Sequence, residues 1–568
     1  VKKVLDEDAE MKRAAFIFAS LCLALSCYGR TITVDNDGPA EYATIQEAID
    51  AAAEGDEIVV AVGTYSENIH FKGKNIVLSS INPTDQGIVN TTVIDGNNAN
   101  SVVTFSGTEA NNCVLSGFTI TKGIALEGGG INGNGTLATI EYNVIIDNCA
   151  KYGGGVSRCD GIIKHNSILE NYNVNYDNRP VYFGHGGGLY LCDGTIVSNN
   201  IIRNTADHSG GGLYGGNGTI ENNTFTDNSA FSGGAISRCD GTIQGNIFTG
   251  NSAWGGGAIA ACDGTIQNNT ISTNVATYGG GGLSTCWGTV RNNIIRNNTV
   301  IGPYYDNAGG GLHGCHAIIE GNIIIGNSAR HGGGLHQCGE FLLWDSNDGW
   351  PTFIDATIHN NLIIANLAYE DGGGLCWCRG TISNNTIYGN HAGDLGGGLR
   401  YCGGIIVNCI VYGNTSNGLD TQISGCAPAF CAAPSYCCIQ DWTGEGVGNI
   451  AADPCFADIS SSDPNEWDVH LRSQAGRWDP QSQIWVEDDV TSFCIDAGDP
   501  FSPVGHESFP NGGIINMGAY GGTAEASKSY FGEPVCETIV AGDIDGDCNV
   551  NFLDFRLIAI HWLEDHSP

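Results

Sequence analysis

Apolar residues recur down the middle of this chain at fixed offsets from a cysteine. The frame GGGLxxCxGTIxxNxIxxN surrounds Cys159, Cys192, Cys239, Cys262, Cys286, Cys315, Cys338, Cys378 and Cys402, and one copy has Gly216 where the Cys belongs. Uninterrupted copies lie about 23 residues apart, a period of stacked solenoid coils. Three apolar columns follow. One runs from Val156 and Leu189 to Leu399, a second, four after the Cys, from Ile163 through Ile243 and Ile266 to Ile406, and a third, nine after it, from Ile168 through Phe225 and Phe248 to Val411. Runs of β-branched and aromatic residues on one face, separated by Gly or Asn, predict about three short strands per coil and an all-β parallel β-helix. A propeller is the competing fold, but its blades of about 40 residues do not fit the period.

Two asparagine columns accompany the apolar ones, Asn143 to Asn385 and Asn148 to Asn414. A turn Asn tolerates a left-handed backbone, and amides stacked about 4.8 Å apart can hydrogen-bond from coil to coil, so both columns read as structure. The Cys column poses a choice between thiols and disulfides. Adjacent α-carbons are close enough for a bridge, but parallel side chains leave the β-carbons too far apart for relaxed geometry, which favours buried thiols. Cys426, Cys431, Cys437, Cys438, Cys455 and Cys494 fall outside the repeat and are the better disulfide candidates in an exported protein.

Composition narrows the partners. With 23 basic and 61 acidic residues the net charge is −38, which repels phosphate backbones and excludes nucleic acid as a partner. Met11-Lys-Arg followed by an apolar run over 14–25 has the layout of a secretory signal peptide, with Met11 the expected start and lipid attachment at Cys27 the alternative. These features predict a secreted or cell-surface protein forming one elongated monomer. The expected organisation is upstream residues and signal peptide over 1–29, a cap and first coils over 30–125, central repeats over 126–420, Cys-rich closing coils over 421–530 and a calcium-loop module over 537–568.

The stretch Thr44-Ile-Gln-Glu-Ala-Ile-Asp-Ala-Ala, with Gly55-Asp-Glu-Ile-Val-Val, resembles the capping helix and first coils of pectate-lyase-like right-handed β-helix proteins. Gly233-Gly-Ala-Ile with Phe225-Thr-Asp-Asn is similar to the repeats of chlamydial polymorphic outer-membrane proteins, which are surface adhesins. Cys494-Ile-Asp-Ala-Gly-Asp-Pro and Met517-Gly-Ala-Tyr-Gly-Gly are similar to the closing coils of bacterial surface β-helix proteins. The resemblance implies a right-handed coil with an N-terminal capping helix. It implies no single activity, because the fold hosts lyases, hydrolases, phage spikes and adhesins.

Candidate chemistry lies in four places. Asp543, Asp545, Asp547, Asn549 through its carbonyl, Asn551 and Asp554 stand at the spacing of a calcium loop, and the run resembles a single type I dockerin repeat with Cys548 in place of the usual Gly. That resemblance implies Ca2+ and a cohesin-like or cell-envelope partner. Insertions near 172–185, 300–308 and 340–356 are rich in rings and carboxylates, and Tyr304, Tyr305, Trp344, Asp345, Asp348 and Trp350 are the candidate sugar-binding set. Catalytic candidates are His313, His316, His331 and His336. A column of Asp160, Asp193, Asp240 and Asp263 with Arg158 and Arg238 nearby offers a lyase-like set, although Asp-Gly is first a turn dipeptide. The sequence therefore points to an exported β-helix protein that binds extracellular polysaccharide or cell-surface glycan. It admits cleavage by a polysaccharide lyase or glycosidase, and equally a non-enzymatic surface adhesin or structural β-helix.

Overall fold

The computed structural model describes residues 29–173, 184–303, 307–344 apart from 340, 351–418, 421–425, 433–531, 550, 552 and 554–556, with backbone alone over 341–344 and 351–354. Its body is an all-β parallel solenoid. Three long sheets run its length: the first has 15 strands from Thr31–Val34 to Gly403–Val407, the second 15 from Gly63–Tyr65 to Cys438–Ile439, and the third 14 from Ile69–His70 to Ile423–Ser424. Neighbouring strands pair parallel and keep register, apart from a shift between Asn132 and Thr136 in the third sheet. Ile243 sits opposite Ile266 and Phe248 opposite Ile271, so each apolar column becomes one stripe of the interior. A fourth, short strand, absent from the sequence expectation, bridges the second and third sheets in most coils, as in Ser229–Ser232 and Ser252–Gly255.

The helix Ile45–Ala51 closes the first coil, as expected. Thr44 caps it, Ile45, Ala48 and Ile49 are buried, and the Glu67 carboxylate accepts from the amides of Ile45 and Gln46, both at 2.9 Å. This satisfies donors that a helix start leaves orphaned.

The polar columns hold the coils together. Asn246 donates from its backbone N to Asn269 Oδ1 at 2.9 Å and from Nδ2 to Ile220 O at 2.8 Å, and the pattern repeats along both columns. The left-handed residue is not the column Asn but the one before it, such as Gly245, Asn268 or Asn292 with φ of 63°, 55° and 53°. This corrects the sequence reading. The column Asn must turn its amide inward to serve two coils, and its predecessor absorbs the bend. The cysteines form a comparable ladder. Cys239 N donates to Cys262 Sγ at 3.3 Å, and Cys262 Sγ donates to Ala260 O at 3.5 Å. The column sulfurs are buried thiols in this structure, and burial raises the Cys192 thiol to about 12. Gly216 interrupts the column because a Cβ there would lie 2.7 Å from Cys192 O, at a φ of 124°.

Beyond Ile439 the chain leaves the coils and laps back over the outer face of the second sheet. Ile325, Ile364, Ile410 and Cys438 on that face pack against Phe456, Val469, Leu471, Cys494, Ile495 and Met517. Left-handed asparagines at three turns fasten the lap: Asn360 Nδ2 donates to Ala519 O at 2.9 Å, Asn384 Nδ2 to Asn516 O at 3.1 Å, and Asn408 Oδ1 accepts from Asp499 N at 2.7 Å. The two segments likened to closing coils thus lie outside the stack.

Candidate functional site

The third sheet is framed by the glycine triplets. A Cβ on Gly333 would lie 2.6 Å from Gly373 O in the next coil, so the triplet is what lets successive coils approach here. Side chains just before and after the triplet project from this edge, and their rings meet from coil to coil. Tyr152 and Tyr190 have centroids 5.1 Å apart, Tyr190 and Tyr214 5.7 Å, and His185 and Tyr214 4.3 Å. The series continues through His208 and Phe231 at 5.9 Å, Phe231 and Trp254 at 5.1 Å, and Trp254 and Tyr278 at 4.3 Å. It reaches His313 at 6.0 Å and then His336, stacked on His313 at 5.5 Å. At roughly 4.8 Å per coil the ladder is about 34 Å long. Phe231 and Trp254 are 48% and 38% exposed, and the positions flanking the glycines beside them are Ser232, Ser237, Gly255, Ala260, Gly279 and Ser284, with the exposed Arg238 following Ser237. Neighbouring rings cover each other's faces, so the ladder offers solvent an uncharged apolar rail of ring edges.

At the C-terminal end of the ladder the structure gathers three of the four candidate histidines. His336 is 6% exposed with no hydrogen-bond partner on Nδ1, and burial, then His313 and His331, hold it far below the usual imidazole range. His331 Nε2 lies 3.4 Å from Glu370, which also pairs with Arg330 at 2.6 Å, and the Arg330 guanidinium lowers the Glu370 carboxyl. Arg400 pairs with Asp371 at 3.3 Å. His316 is separated from these. It stands on the cysteine-side turn, against Trp287 at 4.9 Å, near the insertion that forms the antiparallel hairpin of Phe341–Trp344 with Pro351–Ile354.

At the other end, next to Tyr190, a cleft of about 290 Å³ is lined by Glu127, Asn134, Arg158, Asp160, Leu191 and Asp193. Arg158 Nε donates to Glu127 Oε2 at 2.8 Å. The aspartate column serves the turns, as its Asp-Gly pattern implied: Asp160 Oδ1 accepts from Asp193 N at 3.1 Å, and Asp240 Oδ1 from Asp263 N at 3.2 Å. Each such carboxylate keeps one oxygen for other partners, and at Asp160 and Asp193 these carboxylates line the cleft.

Tyr304, Tyr305, Asp345, Asp348 and Trp350 lie outside the described residues, as does the side chain of Trp344. So do Asp543, Asp545, Asp547, Asn549 and Asn551, whereas Asp554 falls in a short helical stretch. Among the described residues no group of three or more His, Cys, Asp or Glu is placed to hold a metal ion. The ladder was missed from sequence, although a signal exists: Phe231, Trp254 and Tyr278 each stand five before the apolar residue that follows the glycines.

No curated protein matches the chain. Among solved structures, a PL6 family polysaccharide lyase from Pseudopedobacter saltans aligns at 12% identity over 81% of this chain and 100% of its own, with a TM-score of 0.27. The pectate lyase Pel9A aligns at 13% identity over 87% of this chain and 96% of its own, with a TM-score of 0.24. Residues 438–498, the end of the last coil and the first part of the lap, match a family model described as disaggregatase related. Residues 189–363 match the one described as a right handed beta helix region, the hand that the N-terminal resemblance implied for the coils bearing most of the ring ladder.

Proposed function

We propose that this is an exported protein that binds an extracellular polysaccharide or cell-surface glycan along the outer edge of its third sheet. The observation that carries this reading is the rail of the exposed Phe231 and Trp254 and the half-buried Tyr278, three uncharged rings in a chain of net charge −38. An extended sugar chain lying on it gains apolar contact with several rings at once, and its hydroxyls meet the half-buried Ser232. Affinity electrophoresis of the full chain through gels containing single polysaccharides tests it. Retardation by at least one glycan is expected, with Phe231→Ala and Trp254→Ala each weakening it about tenfold, a loss of roughly 1.4 kcal/mol. Unchanged retardation in both variants overturns the site.

A second reading, cleavage of the bound chain, is favoured by the arginine inside the acidic cleft. Arg158, oriented by Glu127, is placed to hold an anionic sugar group, and Asp160 or Asp193 to exchange a proton with it. New unsaturated-uronate absorbance or new reducing ends, lost in Arg158→Ala, would support a lyase or glycosidase. A binding protein without either product is an adhesin, for which the outward threonine row of Thr195, Thr219, Thr242, Thr265 and Thr289 provides a regular second face. In either case we assign Ca2+ to the 543–554 loop, on the oxygen donors of its sequence, and the docking of a cohesin-like or envelope partner to the same module.

A further inference from the structure

The seam between the last coil and the lap brings two sulfurs together. Cys438 opens the strand Cys438–Ile439 and Cys437 immediately precedes it, and the two fall on opposite sides of the wall: Cys437 joins the interior of the solenoid, and Cys438 the apolar seam outside it. Across that seam stands Cys494, wholly buried in the same apolar cluster as Cys438, whose Sγ donates to Ala452 O at 3.1 Å. The objection that keeps the column cysteines apart does not apply here. Column side chains are parallel neighbours fixed by the coil spacing, whereas Cys438 and Cys494 belong to facing segments packed in one buried cluster, so no coil spacing holds their β-carbons apart. Cys494 is also anchored by its backbone: its N donates to Ser492 Oγ at 3.1 Å, and its carbonyl accepts from Met517 N at 2.9 Å. A bridge at this point would tie the lap to the coil it covers.

We propose that Cys438 and Cys494 are joined as a cystine in the mature protein, fastening the lap covalently over the second sheet. The proposal rests on the export reading for its oxidising compartment. Formation consumes one external disulfide: the two thiols give up two protons and two electrons, the Sγ–Sγ bond forms, and the external disulfide is reduced to two thiols. Cys455, partly exposed and in the same part of the chain, is the rival partner.

The test uses the full chain. It is equilibrated with oxidised glutathione, blocked with an alkylating agent after unfolding, digested without reduction and mapped by mass spectrometry. A linked pair of peptides carrying Cys438 and Cys494 is expected, with the column cysteines from Cys239 to Cys286 alkylated. Limited proteolysis gives an independent readout: the oxidised chain should be cut within 495–531 at least tenfold more slowly than the reduced chain, and Cys494→Ser should abolish that difference. Recovery of Cys438 and Cys494 both alkylated, or a link from either to Cys455, overturns the proposal. If the link forms in vitro but protein recovered from its cells carries both thiols, the export reading fails and the pairing stands.

Discussion

Asn246 and Asn269, one coil apart, share a hydrogen bond from Nδ2 to Oδ1 at 3.1 Å, and the same Oδ1 also accepts the backbone N of Asn246 at 2.9 Å. Asn269 in turn donates from Nδ2 to Ile243 O at 2.9 Å. Asn269→Ala therefore strands a buried N–H and a buried carbonyl, and should cost about 2–6 kcal/mol at about 1–3 kcal/mol per orphaned group. Because each coil contacts only its neighbours, the loss should be local. Hydrogen exchange should accelerate first in the coils around residues 240–275, while the capped N-terminal coils keep their protection. Uniform acceleration along the chain would contradict a coil-by-coil ladder.

Ile243→Ala should cost about 2–5 kcal/mol, the range for emptying a packed interior site. The paired Thr242→Ala, on the outer face of the same strand, should change stability by less than about 0.5 kcal/mol. Urea denaturation of the two variants side by side checks the register.

The thiol ladder makes a chemical prediction. Cys239, Cys262 and Cys286 are buried, and burial together with a neighbouring thiol holds Cys262 and Cys286 well above the usual thiol range, so almost no thiolate is available at neutral pH. Alkylation of the native chain should leave all three unmodified, and labelling should appear only after unfolding. Prompt labelling of Cys262 in the native state would show the column open.

What could be read from the sequence followed from periodicity. The Ile and Leu columns, the interior position of Ile243 and Ile266, and both asparagine ladders were legible because stacking forces one residue type to recur at one offset. The fourth strand was not: its inward residues, Ala230, Ala253 and Ala276, are too small to register as an apolar column. The ladder escaped for a related reason, since its rings come from different offsets, Trp254 five before the apolar residue that follows the glycines, Tyr152 four before it and Tyr190 and His313 one after it, so no single column carries them. The lap was illegible because it does not repeat. Its partners on the second sheet, Ile325, Ile364 and Tyr388, continue positions that hold Thr226, Thr249 and Ser272 in earlier coils, and only the fold shows what covers them.

Acid should loosen the N-terminal half of the ladder. Burial, with His208 and Arg238 adding repulsion, lowers the His185 imidazole to about 4 from an ordinary 6.5. Between those values the unfolded chain binds the proton more readily than the native one, so stability from this group is present above about 6.5 and is lost as the pH falls toward 4. His185→Gln should flatten that part of the pH–stability curve. An unaltered curve would mean that His185 is solvated in the native protein.

The lap should respond with the opposite sign. Glu507 is 8% exposed, its Oε1 accepts from Asn516 N and Gly522 N, both at 2.8 Å, and its Oε2 has no partner. Burial wins over those two bonds and raises the carboxyl to about 7 from an ordinary 4.5. Between these values the native state holds the proton that the unfolded chain has released, so the contribution is fully present below about 4.5 and is lost as the pH rises through about 7. Glu507→Gln fixes the neutral form and should make the lap more resistant to proteolysis at pH 8 than the parent chain, with the two alike at pH 5. A variant less resistant at pH 8 would show that the ionised carboxylate is the form the lap needs.

Calcium gives the last prediction, on the loop assigned to it. Asp543→Ala with Asp545→Ala removes two of the carboxylates that a cation of this size would take as ligands, since calcium gathers about six to eight oxygens and gains most from the charged ones. Titration of the full chain by calorimetry should show a calcium-binding event that the double variant lacks. The coils end far upstream in sequence and close on their own polar ladders, so thermal unfolding of the β-helix in the absence of calcium should be the same in both chains. Loss of the β-helix transition in the variant would make the module part of the fold. An unchanged calcium isotherm would remove the ion from this loop and with it the assignment made here.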